Sequence, residues 1–78
     1  MEQYEKIIST ILKDKTSKKS YLIPLVPADM LWMLSEHPNI CIRMCAANLI
    51  DFNQLPRLLN DPDVVPIVER RFKFSVPH

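Results

Sequence analysis

The hydrophobic positions of this chain fall into short groups, each broken off by a proline or a charged cluster. In the first, Tyr4, Ile7, Ile8, Ile11 and Leu12 recur at the i, i+3, i+4, i+7, i+8 spacing of one helix face, which predicts an amphipathic N-terminal helix over 1–14. The stretch KDKTSKKS that follows has no apolar member and reads as a solvated loop. In SYLIPLV, Pro24 biases Ile23 toward extended geometry, so 15–26 is expected to be loop and connector. Pro27 suits the first position of a helix running to about Glu36, with Met30, Leu31 and Leu34 as its inward stripe.

The next boundary is made by His37 and Pro38. A side chain able to accept a backbone N–H precedes a proline whose missing N–H has no helical partner to lose, so the pair ends one helix and begins another with almost no loop. Asp61 and Pro62 repeat the device 24 residues later. The same shift superposes Leu31 on Leu55, Leu34 on Leu58, Asn39 on Asp63, Ile40 on Val64, Cys41 on Val65 and Met44 on Val68. Pro27 is matched by Asp51, which with Gln54 predicts a capping box. These positions set helix boundaries and the buried stripe, and they divide the chain into repeat 1 at 27–50 and repeat 2 at 51–72. The helix from Pro38 to Asn48 is apolar almost all round, as a central helix covered on several sides would be. The second unit should be less regular, because Pro56 and Pro66 fall within it; a short 3₁₀ turn at Val64 and Val65 and a new helix from Pro66 are expected. In 73–78 the period changes. Phe72, Phe74 and Val76 alternate with polar residues, which predicts an extended tail.

The pattern resembles the leucine-rich repeat variant family and, through its Asp-Pro corner, HEAT-like helical repeats. Pro27, Leu31, Leu34, Pro38, Asn39 and Arg43 carry the resemblance in the first unit, and Leu55, Leu58, Asp61, Pro62 and Asp63 in the second. It spans 27–72 and implies a short, right-handed α-solenoid of helix pairs. The chain departs from it where Ile67 replaces the arginine of the first unit, where Pro56 and Pro66 interrupt the second, and in having no cysteine cluster of the kind that holds an iron–sulfur centre in one relative. No cofactor is therefore implied. The fold expected is all-α, with an N-terminal amphipathic helix, two stacked units and an extended C-terminal tail.

Size and composition narrow the function. Seventy-eight residues allow one domain with a small core. The sequence has no glycine, so phosphate loops, oxyanion turns and dinucleotide fingerprints are not expected, and no enzyme is read from it. The longest apolar run is far short of the ~20 residues that cross a bilayer, and the first residues lack the layout of a secretory signal. A cytoplasmic location with no membrane partner is the expectation, and two cysteines one helical turn apart fit a reducing compartment. Charge is near balance but unevenly spread, with basic ends and an acidic middle.

Few residues are candidates for chemistry. His37, Cys41 and Cys45 share one helix side, yet a structural zinc site needs a fourth ligand that the chain lacks, so no metal is expected; the cysteines are read as buried, reduced side chains. Arg43 is either a ligand-facing residue or the partner of Asp29, Glu36 or Asp63 in a salt bridge. Trp32 lies around the cylinder from the leucine stripe, so it is either covered by Tyr4 and Ile8 or serves with Met33 as an interface anchor. Phe72 and Phe74 are candidates for covering by a partner or a second copy, because two units leave an end face bare. The reading is a small protein-binding module, an adaptor or inhibitor, with a homodimer as one form of the complex. The alternatives are nucleic-acid backbone binding by Lys15, Lys18, Lys19, Arg70 and Arg71, should these converge, and a metal or redox-thiol protein.

Overall fold

A computed structural model describes residues 2–75. Six helices follow one another: α1 (Glu2–Lys13), the 3₁₀ helices η1 (Ser20–Leu25) and η2 (Ala28–Leu34), then α2 (Ile40–Leu49), the 3₁₀ helix η3 (Phe52–Asn60) and α3 (Val65–Ser75). The described residues contain no strand, in keeping with the all-α expectation. From Ala28 onward, 3₁₀ and α-helix alternate. The radius of gyration is 12.3 Å and the principal extents are 39 × 25 × 18 Å. A compact globule of this length would have a radius near 11.5 Å, so the molecule is slightly drawn out.

The 3₁₀ geometry is compatible with the leucine spacing. Three residues per turn places i and i+3 directly in line. Leu31 and Leu34 of η2, and Leu55 and Leu58 of η3, are spaced that way, and all four are buried. A 3₁₀ helix also accommodates Pro24 in η1 and Pro56 in η3. The expected extended connector is thus helical, and Ile23, beside Pro24, is wholly buried. Pro27 takes the position before η2 rather than its first residue, with φ −56° and ψ 142°.

Both corners make the expected side-chain bond, but Pro38 and Pro62 do not begin the helices that follow: α2 starts at Ile40, after five non-helical residues, and α3 at Val65. At the first, the Asn39 N–H donates to His37 Nδ1 at 2.9 Å; at the second, the Asp63 N–H donates to Asp61 Oδ1 at 3.0 Å. Asn39 then caps α2 by accepting from the Cys41 N–H at 2.8 Å. Pro66 occupies the first turn of α3, where its missing N–H costs nothing. The Asp51 capping box forms only by half. Asp51 accepts from the Asn53 N–H, but the Gln54 side chain turns away and donates to the Asp29 carbonyl at 3.1 Å.

One core runs through the molecule, from Ile8 and Ile11 of α1 through η1 and η2 to Ile67 and Val68 of α3. Leu12 falls outside the α1 stripe and is exposed. The match at a shift of 24 holds for the 3₁₀ helices and fails for the α-helices: Ile40 and Met44 are exposed, whereas Val64 and Val68 are buried. Within α2 the first buried residue is Ile42, five past His37, and within α3 it is Ile67, six past Asp61. One residue of an α-helix turns it by about 100°, so the two helices present different faces. α2 is accordingly not covered all round.

The extended tail is the largest difference. α3 continues to Ser75, so residues 73–75 are helical, while 76–78 lie outside the described residues. Helical winding separates two phenylalanines that a strand would align. Phe72 packs on the core and meets Phe52 edge to face at 5.2 Å; Phe74 points outward, 78% exposed.

Candidate functional site

η2 and η3 lie side by side and run the same way. The Asp51 N–H donates to the Ala28 carbonyl at 3.1 Å, tying their starts together. A 3₁₀ helix carries three straight rows of side chains. At Asp29 and Trp32, η2 meets Gln54 and Arg57 of η3, and Ser35 just after η2 and Asn60 at the end of η3 line one groove. The first pair is joined by the Gln54 hydrogen bond to Asp29. In the second, the Arg57 guanidinium lies over the Trp32 ring, 6.0 Å from its centroid, a cation–π contact. Beyond these contacts the rows part. Ser35 and Asn60 open into a groove of about 480 Å³ that continues between the two corners, lined also by Glu36, His37, Arg43, Arg57 and Asp61.

The groove floor is fixed by charge. Arg43 reaches from α2 to the second corner and donates to Asp61 at 2.8 Å and to Asp63 at 3.1 Å. One cation between two carboxylates leaves a residual negative charge there. The Arg43 Nε is buried with no partner among the described residues, an uncompensated polar group beneath the groove. Arg43 is therefore a salt-bridge residue, as one of the two sequence readings held. Asp63 was a named partner; Asp61 was missed, although it ends the helix that Arg43 faces.

His37 closes the other wall. Among the described residues it is the one buried polar side chain, 1% exposed, and both ring nitrogens are engaged: Nε2 donates to the Ile11 carbonyl at 2.9 Å, while Nδ1 accepts from the Asn39 N–H. Those bonds require the tautomer with its proton on Nε2. The ring is thus a bracket between α1 and the corner, and it is not free to join Cys41 and Cys45. Cys41 is exposed rather than buried, and Cys45 is half-buried.

The remaining predicted residues separate. Trp32 is 45% exposed, so it is not the core residue that Tyr4 and Ile8 would cover; Met33 beside it is exposed too. Phe72 is used within its own chain, which leaves Phe74 alone of that pair for any contact with a second copy. Lys15, Lys18 and Lys19 sit exposed on the loop after α1, where Asn39 at the start of α2 donates to the Lys15 carbonyl. Arg71 instead donates to the carbonyls of Ala47 and Ile50 at the opposite end of α2, about 15 Å away along the helix. The lysines and Arg71 do not converge, and Arg71 is committed to capping. Arg70 is exposed on α3. The loop is held from within by Asp14, whose carboxylate accepts from the Thr16 hydroxyl and from the Thr16 and Lys19 N–H groups. The Thr16 hydroxyl, outweighing partial desolvation and aided by the backbone donors and the Lys19 charge, holds the Asp14 carboxyl below its ordinary value of 3.8.

Arg57 and Asn60 were not singled out from the sequence. Their signal was a 25-residue interval: 29 to 54 and 32 to 57 are in contact, one residue longer than the 24-residue interval between corners, and the same interval relates Ser35 to Asn60, which line one groove. Among the described residues no group of His, Cys, Asp and Glu is placed to hold a metal ion, and no helix is long and apolar enough to cross a membrane. Comparison with protein-family models, curated proteins and solved structures gives no match to this chain.

Proposed function

We propose that the chain is a small protein-binding module without catalytic activity, made of two helix-pair units and presenting the η2–η3 face to a macromolecular partner. The alternation of 3₁₀ and α-helices from Ala28 onward, and the identical corner bonds at His37 and Asp61, support a two-unit solenoid resembling leucine-rich repeat variants. The observation that carries the binding reading is Trp32. It is the sole tryptophan, it is nearly half exposed, and it lies against Arg57, which itself lines the groove. A restrained aromatic side chain and an arginine at a concave edge are the residues that most often dominate binding at interfaces. The test is capture of partners from cell lysate by the wild-type chain and by Trp32→Ala, in parallel and across a salt series. A protein retained by the wild type through high salt and lost by Trp32→Ala supports the proposal. Equal retention by both, or capture of nucleic acid alone with a steep salt dependence, refutes it.

A further inference from the structure

The groove at the parting of the two 3₁₀ helices has a chemistry that specifies its occupant. Its two arginines are not equivalent. Arg43 has both terminal nitrogens on Asp61 and Asp63 and only its buried Nε without a partner among the described residues, whereas Arg57 has no carboxylate within 4.0 Å among them and is held only by the face of Trp32. The Asn60 amide, one 3₁₀ turn further, makes no hydrogen bond among those residues, and it offers the donor and acceptor that match a peptide group. Glu36 and the acidic pair on Arg43 make the far side of the groove negative. From these we infer that the groove binds an extended peptide segment bearing a single carboxylate, which pairs with Arg57, next to an apolar side chain that lies on the exposed part of Trp32 beside the groove.

The polarity across the groove sets the selectivity. A guanidinium drawn over an indole face has lost part of its freedom, so a carboxylate pairing with it costs less entropy than one pairing with a mobile lysine. The second carboxylate of an acidic run would meet Glu36 and Asp61, so a uniformly acidic segment is rejected by like charge. The volume of about 480 Å³ lies in the range of small-ligand sites and takes a few residues rather than a folded surface. This inference rests on the protein-binding reading and adds the class of segment bound.

The experiment is selection of a random heptapeptide display library on the immobilised full chain, with Arg57→Ala as counter-target, followed by titration of the selected peptides using the fluorescence of Trp32. The expected outcome is enrichment of peptides with one Asp or Glu adjacent to an apolar residue, a saturable change in Trp32 emission, and a loss of about tenfold or more in affinity when that acid becomes its amide or when Arg57 becomes Ala. An oligoglutamate should give no saturable change. No enrichment, enrichment without a carboxylate, or equal binding by Arg57→Ala overturns the inference. A native partner lost by Trp32→Ala but kept by Arg57→Ala would also overturn it while leaving the protein-binding reading intact. Circular dichroism of Arg57→Ala matching the wild type shows that a loss of binding reflects the site and not the fold, since Arg57 is exposed on η3.

Discussion

Replacing His37 by alanine tests whether a buried imidazole joins the N-terminal helix to the rest of the fold. The change removes the Nε2–H bond to the Ile11 carbonyl, a net loss of about 1 kcal/mol. That carbonyl is not orphaned, because the Asp14 N–H still reaches it at 3.1 Å. The Asn39 N–H does lose its acceptor in a half-buried corner, at about 1–2 kcal/mol. The vacated ring volume, in a site only 1% exposed, adds roughly 1 kcal/mol. The sum is about 3–4 kcal/mol, against the ~4–12 kcal/mol expected for a 78-residue domain. Urea unfolding should therefore show a shifted but cooperative transition, and thermal unfolding a fall of about 12–32 °C. His37→Asn supplies the internal control. Its amide oxygen can accept from the Asn39 N–H as Asp61 does from Asp63, but it cannot reach Ile11, so it should recover about 1–2 kcal/mol. A loss below about 1 kcal/mol for the alanine variant, or no recovery by asparagine, would refute the bracket.

The two phenylalanines of α3 should behave oppositely: Phe74→Asp leaves the urea midpoint almost unchanged, within about 0.5 kcal/mol, whereas Phe72→Asp costs more than about 3 kcal/mol by placing a carboxylate against the core. Under native conditions an aromatic disulfide reagent should modify the exposed Cys41 first and the half-buried Cys45 more slowly, and equal protection of both would contradict the structure. Because the folded Asp14 carboxyl lies below its unfolded value, its ordering of the lysine loop is fully present above the unfolded value and is lost as the pH falls through the folded one; the Thr16 and Lys19 amides should lose exchange protection over that acidic range, and persistence in Asp14→Asn would show that the carboxylate is not the organiser.

What was legible in the sequence was the part governed by local rules. The corners were readable because a side chain that accepts an N–H two residues on, followed by proline, has the same consequence wherever it occurs, and His37 and Asp61 both behave so. The leucines were readable as a buried stripe, but their i, i+3 spacing fits an α-helix and a 3₁₀ helix alike, so the tighter winding of η2 and η3 went unseen. The alternation of Phe72, Phe74 and Val76 misled for a related reason. Period two over three apolar residues is weak evidence against a helix already running from Val65, and elongation adds a backbone bond for each residue fixed.

The site was less legible than the fold because it is made by two periodicities that differ by one residue. Corner to corner the interval is 24, which brings His37 and Asp61 to equivalent places; across the facing rows it is 25, which sets Arg57 over Trp32. A shift of 24 pairs Trp32 with Pro56 and leaves Arg57 against Met33, so the cation–π pair is invisible to it. The offset arises because neighbouring helices meet through the sides of their cylinders while the repeat relates equivalent positions on each. It also explains why the groove opens where it does. The contacts run from Gln54 on Asp29 to Arg57 on Trp32 and stop at the groove that Asn60 and Ser35 both line, the Ser35 hydroxyl folding back to the Trp32 carbonyl at 2.6 Å. A larger side chain at residue 35 would fill that space. The groove is thus a consequence of one small residue at the end of a row, placed where a stacked arginine and an unengaged amide already stand.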